Sequence, residues 1–172
     1  MVGEQGVELV ERTSALPLEY DEWLRELRRY VHRLTGDPDR AEDVAQEAIL
    51  RLMRARQEAE VRAPRAWLYR TATNMVRDQA RHEAMLRRKT VPVDTDAAPT
   101  PEQDYERAET IRQVRDALEQ IPPRDRELLI LRESGFRYRE IAEVIGVKTQ
   151  SVPVLAARAL ERFRKAYAGR DQ

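Results

Sequence analysis

Four arginines, Arg70, Arg77, Arg81 and Arg88, stand seven, four and seven residues apart. On a helix those intervals bring all four to one face, and Asn74 falls on it too. A row of guanidinium groups at this spacing can track a phosphate backbone, and an asparagine amide can hydrogen-bond the edge of a base. Trp67 and Tyr69 add aromatic surface at the start of the row. Such a ring can stack on an unpaired base, although a tryptophan is more often core. A solvated charged face accounts for the same row without any ligand, and the spacing does not separate the two readings.

A second group builds a corner. Ile141-Ala142-Glu143-Val144-Ile145-Gly146-Val147 is followed by Val152. Two helices that cross closely need a small residue at the crossing, which Ala142 supplies. The turn needs a residue that tolerates positive φ, and Gly146 does so at little cost. Ile141, Ile145, Val147 and Val152 are placed to close the corner. Together these features favour a helix-turn-helix over an ordinary helical hairpin, with the second helix projecting toward a major groove. On that helix Val154, Arg158 and Arg162 share a face. Val154 can touch a thymine methyl, and Arg158 and Arg162 can hold phosphates, with Lys148, Gln150 and Ser151 as polar neighbours. Pro153 lacks an N–H and must lie in the first turn. The run Pro153-Val154-Leu155 is less polar than a base-reading helix requires. Shape readout, or an apolar contact with a protein partner, is therefore an alternative to base reading.

A third group is Asp43, Gln46, Glu47 and Arg51. Asp43, Glu47 and Arg51 are spaced four apart, and i,i+4 pairing explains Glu47 with Arg51. A polar docking face for a partner is the functional alternative. Covalent chemistry has little to work with. There is no cysteine, which excludes a disulfide framework, a thiolate zinc site and a cysteine nucleophile. His32 and His82 lie far apart, and no HExxH, glycine-rich phosphate loop or serine elbow is present. Neither an enzyme nor a cofactor or metal is expected.

The elements that position these groups are helical. Apolar residues recur at three- and four-residue steps over Leu16 to Leu34, Arg40 to Arg56 and Arg65 to Arg88, and Thr71, Thr73 and Asn74 can interrupt the third stretch. Helices resume over Glu102 to Gln120, Arg124 to Ser134, Tyr138 to Ile145 and Ser151 to Tyr167, with stops at Pro122-Pro123, Gly135 and Gly146. No segment reads as a strand. Residues 90–101 hold three prolines, two acids and no amphipathic period, and read as an extended, flexible linker. The expected fold is all-α. It has an N-terminal extension (1–16), a first small helical domain (17–89), the linker (90–101) and a second, helix-turn-helix domain (102–172).

Composition agrees with small units. Charged residues make up 36% of the 172 and aromatics 6%, so a single large core is not expected. Net charge is zero, yet it is polarised. Residues 62–89 carry eight basic against two acidic groups, 91–120 carry three against eight, and 121–172 carry eleven against seven. Two basic blocks around an acidic one suit a nucleic-acid binder in a way the overall balance hides. The N-terminus is neither basic nor apolar enough for a secretory signal, and no apolar run approaches the roughly 18 residues of a membrane span. A cytoplasmic protein without membrane insertion is expected.

In their order along the chain these parts resemble a known family. Ala41-Glu42-Asp43-Val44-Ala45-Gln46-Glu47 comes first. Pro64-Arg65-Ala66-Trp67-Leu68-Tyr69-Arg70 follows, with Asn74 and Asp78. Ile121-Pro122-Pro123-Arg124-Asp125-Arg126-Glu127 and Tyr138-Arg139-Glu140-Ile141-Ala142 complete the set. The sequence between about residues 17 and 168 looks like an extracytoplasmic-function sigma factor. The resemblance implies two helical domains, core RNA polymerase and promoter DNA as partners, and promoter opening as the role. It places Asp43, Gln46 and Glu47 on the polymerase clamp, and Trp67, Arg70, Asn74, Arg77 and Arg81 on the melted −10 strand. It places Lys148, Gln150, Ser151, Val154, Arg158 and Arg162 at the −35 element, and threads the acidic linker, with Asp94 and Asp96, into a basic channel of the polymerase. Members are often held by an anti-sigma factor, which the resemblance admits as a third partner. A stand-alone dimeric helix-turn-helix regulator is the competing reading, but it has no use for the clamp-like and −10-like segments. A purely structural helical adaptor leaves both basic blocks unexplained.

Overall fold

The computed structural model describes residues 18–87 and 105–169. The N-terminal extension, the linker with Asp94 and Asp96, and Arg88 lie outside the described residues. The described residues form seven helices and no strand. The first group is α1 (Leu18–Thr35), α2 (Pro38–Glu58) and α3 (Pro64–Arg87). The second is α4 (Tyr105–Gln120), α5 (Pro123–Glu133), α6 (Tyr138–Ile145) and α7 (Val152–Ala168), with a single 3-10 turn at Thr149–Ser151 before α7.

Each helix follows from its sequence. Leu27, Tyr30, Val31 and Leu34 form the buried stripe of α1. Asp37 caps α2, its Oδ1 accepting from the Arg40 N–H at 3.0 Å, and Pro38 sits in the first turn, where no N–H is needed. The inner face of α2 carries Ala41, Ala45 and Ala48 among Val44, Ile49 and Leu52. These short side chains let α1 and α3 approach it closely. Helix α3 runs unbroken through Thr71, Thr73 and Asn74, where an interruption was open. The Thr73 hydroxyl donates to the Tyr69 carbonyl at 2.7 Å and lies 2.8 Å from the Tyr30 hydroxyl. With its one proton committed to Tyr69, Thr73 accepts from Tyr30. A residue that favours caps is thus accommodated inside a helix because its hydroxyl is satisfied in the core.

One expectation is overturned. In place of separate small cores, a single hydrophobic cluster runs from Tyr20 and Leu27 through Leu68, Tyr69 and Ala72 into Leu128, Leu131, Phe136, Ile141 and Val152. Helix α3 packs against α6, and α1 against α5. The aromatic hinge of this contact is Tyr69, whose ring centroid lies 4.8 Å from Tyr30 and 4.5 Å from Phe136. Arg65 lies 4.3 Å over the Phe136 ring and donates to Glu26 at 3.3 Å. Arg126 reaches the Leu34 carbonyl at the end of α1 at 3.1 Å, and Arg33 pairs with Glu133. The low aromatic fraction misled because few aromatics suffice when they meet at one seam.

Candidate nucleic-acid interface

Helix α3 displays its outer row on solvent, with one exception. Arg70, Asn74 and Arg81 are exposed and Trp67 is half-buried against the core. Trp67 and Arg70 line an open cleft of about 410 Å³ with Val61, Ala63 and Ala66, and Glu143 of α6 also lines it. Arg81 bonds Asp78 at 3.0 Å, an exposed pair that holds it only weakly. The exception is Arg77. Its Nε donates to Glu127 Oε1 at 2.8 Å, and its Nη2 pairs with the other carboxylate oxygen. The Glu127 hydrogen bonds hold the Arg77 guanidinium more firmly charged than usual, against the opposing effect of partial burial.

The corner of the helix-turn-helix forms as its residues require. Gly146 adopts φ 71° and ends α6, its N–H meeting the Ala142 carbonyl at 2.9 Å while Val147 N–H reaches the same oxygen at 3.0 Å. Ile141, Ala142, Val144, Ile145, Val152 and Ala156 are buried in the corner. Pro153 lies in the first turn of α7. On the outer side Lys148, Gln150, Val154 and Arg158 are exposed, Ser151 is half-buried, and Val154 reaches 54% exposure. Neither Lys148 nor Arg158 forms an ion pair among the described residues. Arg162 differs, because its guanidinium pairs with Asp125 at the start of α5, whose side chain is 10% exposed. Arg162 therefore braces α7 against α5, and its carboxylate partner also suits the positive N-terminal end of that helix.

Helix α2 turns Asp43 and Gln46 outward, with Glu47 half-buried beside them. Glu47 takes the expected bond from Arg51 at 2.7 Å, and Gln46 donates to Glu42 at 2.6 Å. Glu42 is held below the usual carboxylate range by hydrogen bonds from Gln46 and Arg28. The result is a solvated acidic and amide surface, remote along the chain from the helix-turn-helix.

Sequence reasoning missed the residues that join the two groups, namely Arg33, Arg65, Arg126, Glu127, Glu133 and Phe136. One signal was available. Glu127 falls three and four residues before Ile130 and Leu131, so it lies on the inward face of α5, where an acid needs a partner. Among the described residues no cluster suited to a metal ion occurs, and no helix is long and apolar enough to cross a membrane.

Among the described residues, a basic helix face in one helical group is paired with a helix-turn-helix in the next. Residues 20–85 match the family model for sigma-70 region 2, and residues 111–163 match that for sigma-70 region 4. The chain is 30% identical to the ferric citrate uptake sigma factor FecI of Escherichia coli K12, over 82% of this chain and 86% of that protein. It is 31% identical to the ECF RNA polymerase sigma factor SigE of Mycolicibacterium smegmatis, over 88% of this chain, and spans 62% of that relative's length. With SigL of Mycobacterium tuberculosis, identity is 46% over 89 residues, about half of each chain. The fold is shared with the sigma factor RpoE of Bartonella quintana, solved with the anti-sigma factor NepR, at a TM-score of 0.70 and 24% identity over 86% of this chain and 93% of that one. The chain belongs to the extracytoplasmic-function sigma factors of the sigma-70 family.

Proposed function

We propose that this protein is a non-catalytic initiation factor that binds core RNA polymerase, recognises −35 and −10 promoter elements and assists DNA opening in the cytoplasm. The observation that carries the reading is the pairing, in one chain, of an α3 face of exposed Arg70, Asn74 and Arg81 beside half-buried Trp67 with a helix-turn-helix whose Lys148, Gln150, Val154 and Arg158 face solvent. The α2 surface of Asp43, Gln46 and Glu47 is the proposed polymerase contact. Helix α7 is the proposed −35 contact, with Val154 against thymine methyls and Arg158 on phosphate. Ser151 and Arg162 belong at its margin, Arg162 through its hold on Asp125. The proposed domains remain 17–89 and 102–172, with 90–101 as linker. An anti-sigma partner is included in the proposal, the Bartonella sigma factor having been solved in complex with one.

The test is reconstituted transcription. Core polymerase with this chain should start RNA at discrete promoter positions, and core alone should not. Tight dimeric binding to duplex promoter DNA, with no transcript from core, would instead establish a stand-alone regulator.

A further inference from the structure

The outer face of α7 is apolar where the helix begins. Pro153, Val154 and Ala157 are exposed, whereas Val152, Ala156 and Ala159 on the opposite side are buried. Steps of three and four residues put Val154, Ala157 and Arg158 on one face, with Pro153 at its edge. The helix-turn-helix corner closes on Ile141, Ile145 and Val152, so the exposed trio is left for a partner. The surroundings select that partner. From Val152 to Leu160 the helix holds Arg158 and no acid. Lys148 lies on the same outer side, and neither cation has an ion pair among the described residues. Apolar groups framed by open cations suit a DNA duplex, whose phosphates rim the groove and whose base edges floor it.

We propose that α7 reads two neighbouring A·T pairs through their thymine methyl groups, Val154 and Ala157 each meeting one methyl while Arg158 holds the register on phosphate. The inference rests on the reading of α7 as the −35 helix. Pro153, Val154 and Ala157 have no side-chain donor or acceptor. In the major groove the apolar feature that separates one base pair from another is the thymine C5 methyl. A G·C pair presents no methyl, and this surface would strip its polar edge of water without replacing the hydrogen bonds. Three residues of helix advance about 4.5 Å and one base-pair step about 3.4 Å, so the two side chains address adjacent pairs. Selectivity on this face is therefore apolar, with hydrogen bonding left to Lys148 and Gln150 at its margin.

Deoxyuridine separates methyl reading from its rivals, because it keeps the hydrogen-bonding edge of thymidine and lacks the methyl. Holoenzyme assembled from core polymerase and this chain selects −35 sequences from a randomised promoter library. The selected element should contain two adjacent A·T pairs. Replacing their thymines singly by deoxyuridine should weaken holoenzyme binding about fourfold each, the scale of one buried methyl group. Val154→Ala should erase the loss at one of the two positions and leave binding to core polymerase unchanged, since Val154 is exposed. An A·T preference that ignores deoxyuridine means shape readout and overturns the proposal. A selected element without adjacent A·T pairs overturns it too. So does Val154→Ala with both losses intact, which would leave Val154 for a protein partner. Discrete transcripts in any of these cases keep the sigma-factor reading standing. Deoxyuridine-sensitive duplex binding by the full chain, with no transcript from core, supports methyl reading and counts against the sigma-factor reading instead.

Discussion

Asn74 and Arg81 differ from Arg77 in what surrounds them. Both are exposed, and Arg81 pairs, among the described residues, with a neighbouring acid on its own helix. Neither supports the fold, so their loss should show in DNA handling alone. Asn74→Ala and Arg81→Ala are each expected to reduce open-complex formation about tenfold, the scale of one base-edge or charged contact, while binding to core polymerase is unchanged. Equal loss in both assays would mean misfolding or a wrong assignment. Arg158 is exposed and has no ion-pair partner among the described residues, which suits a phosphate contact. Arg158→Ala should weaken −35 duplex binding alike across sequences and lower the salt slope by about one. A shifted base preference in a binding selection would make Arg158 a base reader.

At the scale of elements, the helix-turn-helix depends on one backbone conformation. Gly146 sits at φ 71°, and a methyl group added there would meet nothing within 4 Å. The strain of a substitution is therefore purely conformational. Gly146→Ala should cost about 1–2 kcal/mol, read as a lower urea midpoint with unchanged slope. No loss would show that the turn relaxes to another geometry. Helices α1 to α3 and α5 to α7 were legible because their signals are local. Apolar spacing, Asp37 as a cap, prolines in first turns and Gly146 at a stop all act within a few residues. The continuity of α3 was not legible, since Thr73 is satisfied by Tyr30, which lies 43 residues earlier.

The whole molecule is held by a seam that burial makes sensitive to alkali. Burial pushes the Tyr69 phenol up to about 12, and the Tyr30 phenol well above its usual range. In the unfolded chain both ionise near 10. The folded state then retains protons that the unfolded state releases. Stability from this source is intact below about pH 10 and falls as pH rises from there toward 12, by at most about 1.4 kcal/mol per pH unit for each tyrosine. Urea midpoints measured between pH 8 and 11 should drop, and Tyr30→Phe should flatten the decline. An equally steep decline in that variant would remove Tyr30 as the cause.

The sequence by itself determined the helices, the helix-turn-helix corner, the exposed α2 and α3 faces and the family, because each rests on residue spacing or on short ordered motifs. Only the tertiary structure decided how the two groups meet. It drew Arg77 away from the otherwise exposed α3 row onto Glu127, 50 residues along the chain, and Arg162 onto Asp125. The helical period specifies which side of a helix is apolar, but not which distant helix covers it. That choice follows from the fit of Tyr69, Phe136 and Arg65 at one seam, and it brings the charges to their partners.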